Sequence, residues 1–174
     1  RIKKLGTGLR RIFPDARDYK FGSLFPGQLE IPSVDFLVGN TEVLDQGESD
    51  ACTAHSTSAA SAMQEDVILE PSYTFAKTKQ LLGEWQEWGA DNRTACLAHT
   101  KFGGLEKESS PYNLNNRERD FVANWENWDK TLDYKAYTHR KKTFLKVGDD
   151  FESIRQALWR FRDEKRAVIV GCIW

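Results

Sequence analysis

Val43-Leu44-Asp45-Gln46-Gly47-Glu48-Ser49-Asp50-Ala51-Cys52-Thr53-Ala54-His55-Ser56 is the stretch on which the reading of this chain turns. Turn-forming residues from Gln46 to Asp50 run straight into an alanine-rich segment with helical composition. That places Cys52 in the first turn of a helix extending to about Glu65, with Ser49 or Asp50 available to cap it. The partial positive charge at a helix N-terminus favours thiolate over thiol, and the thiolate is the nucleophilic species. Gln46 lies six residues before Cys52. A tight loop between them brings the Gln46 amide beside the sulfur, where it and the Cys52 N–H can both point at a developing oxyanion. Small residues (Ala51, Ala54, Ala59, Ala60 and Ala62, with Ser56, Ser58 and Ser61 between them) make this a central, buried helix. His55 lies three residues from Cys52, but adjacent helical turns hold the two side chains roughly parallel. The bland alternative for Cys52 is a buried packing cysteine.

Outward from that helix, Glu70-Pro71-Ser72-Tyr73 is a break followed by a second helix, with Ser72 as its expected cap and Tyr73, Phe75, Ala76 and Leu81-Leu82 on its apolar side. Gly83 to Gly89 is a loop carrying Trp85 and Trp88. A third helix begins in Gly89-Ala90-Asp91-Asn92-Arg93-Thr94 and ends at Phe102-Gly103-Gly104. On it, Cys96 reads as core and His99 as a partly exposed bystander. Residues 115–130 suggest a short helix around Phe121, Trp125 and Trp128. Tyr134 to Thr138 alternates like a strand. Asp149 and Glu152 form a capping-box-like start to a helix whose apolar face is Phe151, Ile154, Leu158 and Phe161. Ala167 to Trp174 reads as a buried strand, with Cys172 as a packing residue. Residues 1–30 read as an irregular arm lying along the domain, pinned by Phe13, Tyr19, Phe21 and Phe25. The functional alternative for the arm is an inhibitory pro-segment covering the cleft.

The chain has 174 residues and a formal net charge of −1, with 40% hydrophobic residues. That is enough for one domain with its own core, and the charge gives no reason to expect nucleic acid or an anionic membrane as partner. No apolar run is long enough to span a membrane, and no signal peptide is visible. Three cysteines leave at least one thiol free and suit a reducing compartment. A cytoplasmic protein is expected, with no cofactor and no metal.

Gln46-Gly47, four residues, then Cys52 resembles the active-site segment of papain-like cysteine peptidases. Ile31-Pro32-Ser33-Val34-Asp35-Phe36 resembles the start of their mature domain. Pro14-Asp15-Ala16-Arg17-Asp18 and Gly89-Ala90-Asp91-Asn92-Arg93 are similar to elements of bacterial members of that family. The resemblance implies an α+β fold: the helical half of a papain-like domain plus the first strands of its barrel half. It also implies an arm at residues 1–30 and a papain-like domain over 31–174, incomplete at its C-terminus. Cys52 would be the nucleophile, Gln46 the oxyanion partner, and Gly89 a backbone contact for an extended peptide substrate. Asp50 replaces a glycine that lines the cleft, where it would oppose the thiolate, or instead repel acidic substrates or favour a basic residue in that subsite. Ser49 stands where many members have a disulfide cysteine, and Thr53 where they have tryptophan.

A thiol peptidase of this kind needs a histidine to take the thiol proton and an Asn or Asp to orient it. His55, His99 and His139 match no catalytic position of the family. The base is therefore expected from further sequence of a longer peptidase or from a separate C-terminal fragment supplying His and Asn. The remaining alternative is that catalysis is lost and the scaffold serves as a non-catalytic protein-binding module. A transglutaminase-like acyl-transfer enzyme shares Cys/His chemistry but does not require Gln46 at this distance.

Overall fold

The computed structural model describes residues 9–12, 15–33, 42–47, 49–84, 89–110 and 129–171. Six α-helices lie within them: α1 (Phe21–Leu24), α2 (Cys52–Glu65), α3 (Pro71–Leu82), α4 (Asn92–Lys101), α5 (Thr131–Tyr137) and α6 (Phe151–Arg160), with 3₁₀ turns at Lys107–Ser109 and Arg162–Glu164. The readings of Trp85, Trp88, the 115–128 part of the expected short helix and Cys172 fall outside the described residues.

Helices α2, α3 and α4 pack on one another and form the centre of the structure. Their core cluster joins Ala51, Ala54, Tyr73, Phe75, Ala76 and Ala90 to Leu105, Leu132 and Ala136. α2 buries Thr53, Ala54, Thr57, Ser58, Ser61 and Ala62, one face at helical spacing. The fully enclosed helix is α3 instead, in which every residue from Pro71 to Lys79 is buried. Its lysines hid this in the sequence. Lys77 ends on Asp133 at 2.7 Å, and Lys79 on the Gly89 carbonyl at 2.6 Å, so both ammonium groups enter the interior paired.

Small hydroxyl residues let the three helices approach closely and then link them. Ser58 Oγ meets Thr74 Oγ1 at 2.9 Å, and Thr74 Oγ1 meets His99 Nε2 at 3.0 Å. His99 is therefore a buried core residue, 1% exposed, and not the bystander expected from its sequence position. The caps also differ from expectation. Glu70, not Ser72, caps α3 by accepting from the Ser72 N–H at 3.1 Å. Asp150, not Asp149, caps α6 by accepting from the Ser153 N–H at 2.8 Å.

The expected strand at Tyr134–Thr138 is helical. Leu132 and Ala136, four residues apart, are the buried pair of α5, while Tyr134 and Tyr137 face outward. No strand ladder exists among the described residues, only isolated bridges pairing Leu9 with Ala90, Lys20 with Lys146, and Leu69 with Glu106. Residues 167–171 of the expected terminal strand pair with no neighbouring strand there. The β part of the expected α+β fold is thus absent from the described residues, which hold the helical half.

The arm is tied down by polar contacts as much as by aromatic ones. Asp18 receives Arg93 Nε with both carboxylate oxygens at 2.8 Å, and Asp15 receives a terminal nitrogen of Arg93 at 2.9 Å. Phe21, Phe25 and Phe161 form a ring cluster. The Gln156 side chain pairs with both backbone groups of Leu29, at 2.9 and 3.0 Å.

Candidate active site

The Gln46 loop is a turn of the kind its residues dictate. Gly47 adopts φ +54°, and its N–H donates to the Asp45 side chain at 2.8 Å. The Ser49 N–H donates to the Gln46 carbonyl at 3.1 Å. The Gln46 amide folds back over this turn and donates from Nε2 to the Ser49 carbonyl at 2.8 Å. It is half-buried rather than turned out to solvent. A second Nε2 hydrogen is left for another acceptor.

Cys52 is the first residue of α2 and is half-buried. The N-cap is Ala51, which makes no side-chain cap hydrogen bond, so neither Ser49 nor Asp50 caps the helix as expected. Burial pushes the Cys52 thiol above its ordinary range, and the negative charge of Asp50 adds to this. The backbone N–H groups of Thr53 and Cys52 pull the other way by hydrogen-bonding the sulfur. These are the groups a helix N-terminus offers to an anion.

Asp50 is 3% exposed and turned inward. Its Oδ2 accepts the Gly89 N–H at 2.9 Å, so the side chain meets the opposite loop instead of opening onto the surface. Gly89, at φ +65°, is held from the other side by Lys79. Of the four residues named from the sequence, Asp50 and Gly89 are hydrogen-bonded to each other, and Gln46 bonds the carbonyl of Ser49, three residues before Cys52. One residue further on, the Ala90 carbonyl accepts the N–H of Arg10 at 2.9 Å, which lays the arm alongside the Gly89 segment. Arg10 is also paired with Glu84.

Two of the three histidines are engaged elsewhere. His99 is bonded to Thr74, and burial followed by the positive charge of Lys141 lowers its pKa to about 4. His139 sits between Glu65 and Glu106. Burial pushes the Cys96 thiol up to about 12, which makes it inert beside Cys52. Among the described residues no cluster of His, Cys, Asp and Glu could hold a metal ion, and no helix is long and apolar enough to cross a membrane.

Sequence reasoning missed Lys79 and the Arg93 fork. Lys79 gave no signal, because a lysine in a helix is ordinarily solvated. The fork could have been found: two acidic residues spaced by three in one motif, and an arginine in another, are complementary charges.

No protein-family profile matches the chain, and no curated protein sequence matches it. Among solved structures it is similar to xylellain, a cysteine protease from Xylella fastidiosa, with a TM-score of 0.62 and 18% sequence identity. The match covers 88% of this chain and 62% of that protease, so the chain spans less than two thirds of its length. At that identity the likeness shows the fold, which is papain-like.

Proposed function

We propose that the chain is the nucleophile-bearing part of a thiol peptidase. The observation that carries this is the position of Cys52: the first residue of a central helix, with the Gln46 amide folded onto the preceding turn. In this reading Cys52 Sγ attacks a peptide carbonyl while its proton passes to a histidine outside the described residues. The oxyanion is held by the free Gln46 N–H and the Cys52 N–H. The amine then leaves with the proton, and water releases the acid from the thioester. The papain-like fold supports the reading.

In the protein carrying the downstream sequence, Cys52→Ala is expected to abolish hydrolysis of peptide substrates. Gln46→Ala is expected to lower kcat by roughly 10²–10³-fold with little change in KM. Equal turnover by either variant and the unaltered protein would end the proposal.

The engagement of His99 and His139 away from Cys52 favours a second reading, a binding module on the same fold. A protein that binds peptides with unchanged affinity as Cys52→Ala, and turns none over, would be of that kind. For residues 9–12 the peptidase reading implies a regulatory role: the arm takes the Ala90 carbonyl beside Gly89, which an extended substrate would approach.

A further inference from the structure

Gly89 is gripped on both of its backbone groups by charged side chains that are themselves buried. Asp50, 3% exposed, accepts its N–H at 2.9 Å. Lys79, 1% exposed, donates to its carbonyl at 2.6 Å. Asp50 belongs to the cysteine loop, Lys79 to α3, and Gly89 to the segment that opens α4, so one residue joins three parts of the chain. Charge-assisted hydrogen bonds of this kind are stronger than neutral ones, and a buried charge that loses its partner is costly. Ser49 replaces the half-cystine expected from the resemblance, and its buried hydroxyl makes no hydrogen bond to the described residues.

We propose that Asp50 and Lys79 are positioning residues, which clamp Gly89 between them and thereby hold the cysteine loop against the segment that opens α4, in place of a covalent bridge. The proposal rests on the peptidase reading of Cys52. It assigns to Asp50 a task other than contact with substrate. The carboxylate joins the two segments, so the first turn of α2, which carries Cys52, is held in place. The cost is a negative charge close to the nucleophile, which the chain accepts because the carboxylate is committed to Gly89. Gly89 itself sits at φ +65°, a conformation that suits glycine, so the clamp grips a residue already fitted for the turn.

Two substitutions separate charge from clamp. Asp50→Asn removes the charge but keeps an amide oxygen to accept the Gly89 N–H; Asp50→Ala removes both. The measurements are amide hydrogen exchange at Gly89 and the pH profile of iodoacetamide alkylation at Cys52, on the whole protein. For Asp50→Asn, exchange at Gly89 is expected to stay within about threefold of the unaltered protein, and the alkylation profile to move to lower pH. For Asp50→Ala, Gly89 is expected to exchange at least about tenfold faster. Its alkylation profile should lie at higher pH than that of Asp50→Asn, because the helix start that favours the thiolate is no longer held in place. Superimposable profiles for the two variants, with Gly89 still protected in both, would overturn the proposal.

If Asp50→Ala does not fold, Lys79→Met puts the same question from the other side. Faster exchange around Gly89 with slower alkylation of Cys52 at neutral pH supports the clamp, and no change in either overturns it. A protein that meets these expectations yet hydrolyses no peptide would sink the peptidase reading and leave the clamp standing.

Discussion

His99 shows what a single side chain costs and contributes when it is sealed inside a helical core. Its ring is hydrogen-bonded to Thr74, and burial holds its pKa at about 4, below the 6.5 of a solvated imidazole. A group whose native pKa is depressed binds more protons in the unfolded chain. The stability it supplies as a neutral ring is therefore full above pH 6.5 and is lost as pH falls from 6.5 toward 4. The span corresponds to about 3 kcal/mol. His99→Gln, which can still bond Thr74, is expected to show a flatter decline of stability across that window in urea melts at stepped pH. An equally steep decline in both proteins would place the acid sensitivity elsewhere. Cys52 is a further residue whose environment opposes its charged form. There burial and Asp50 raise the thiol while two backbone N–H groups restrain the rise, a balance suited to a nucleophile that waits for a base.

Helix packing depends on a few close approaches that the sequence marks with glycine. A Cβ on Gly103 would lie 1.9 Å from the Ala136 carbonyl oxygen of α5, and φ there is +90°. Gly103→Ala is thus expected to destabilise by about 3 kcal/mol or more, since backbone of α5 would have to move and the conformation is strained for any side chain. Gly22→Ala in α1 meets nothing within 4 Å and is expected to be neutral within about 0.5 kcal/mol. Thermal melts of the two variants check the contrast, and similar losses for both would contradict it. The same elements show what the sequence made legible. α2, α3, α4 and α6 could be placed because their start signals and apolar spacing act locally. α5 could not, because Tyr134 and Tyr137 imitate a strand while the decisive pair, Leu132 and Ala136, contains only one large apolar residue. The face of α6 was partly misplaced for a similar reason: Phe151 is 79% exposed, and the buried side is centred on Gln156 and Ala157. Gln156 is inside because it hydrogen-bonds the Leu29 backbone, a partner 127 residues away that no local pattern reveals. At the site, the start of a helix at Cys52 followed from local composition. The inward turn of Asp50 did not, because it depends on a glycine 39 residues away.

At the scale of the whole molecule, the arm and the helical core are held together by the fork of Asp15 and Asp18 on Arg93, near the start of α4. Arg93→Ala removes the cation from both carboxylates at once. Limited proteolysis within residues 9–29 is expected to speed up by about tenfold or more. If the arm covers the cleft, peptide turnover by the protein with its downstream sequence rises in parallel. Faster cleavage with unchanged turnover would make the arm packing alone. The central claim is that Cys52, set at a helix start six residues after Gln46, is an active-site nucleophile on a papain-like scaffold. A peptidyl epoxide, followed by mass spectrometry of the protein with its downstream sequence, tests this most directly. The account predicts one adduct, on Cys52, which is absent from Cys52→Ala and forms far faster than any on Cys96. No adduct on Cys52, or equal labelling of Cys52 and Cys96, would contradict it.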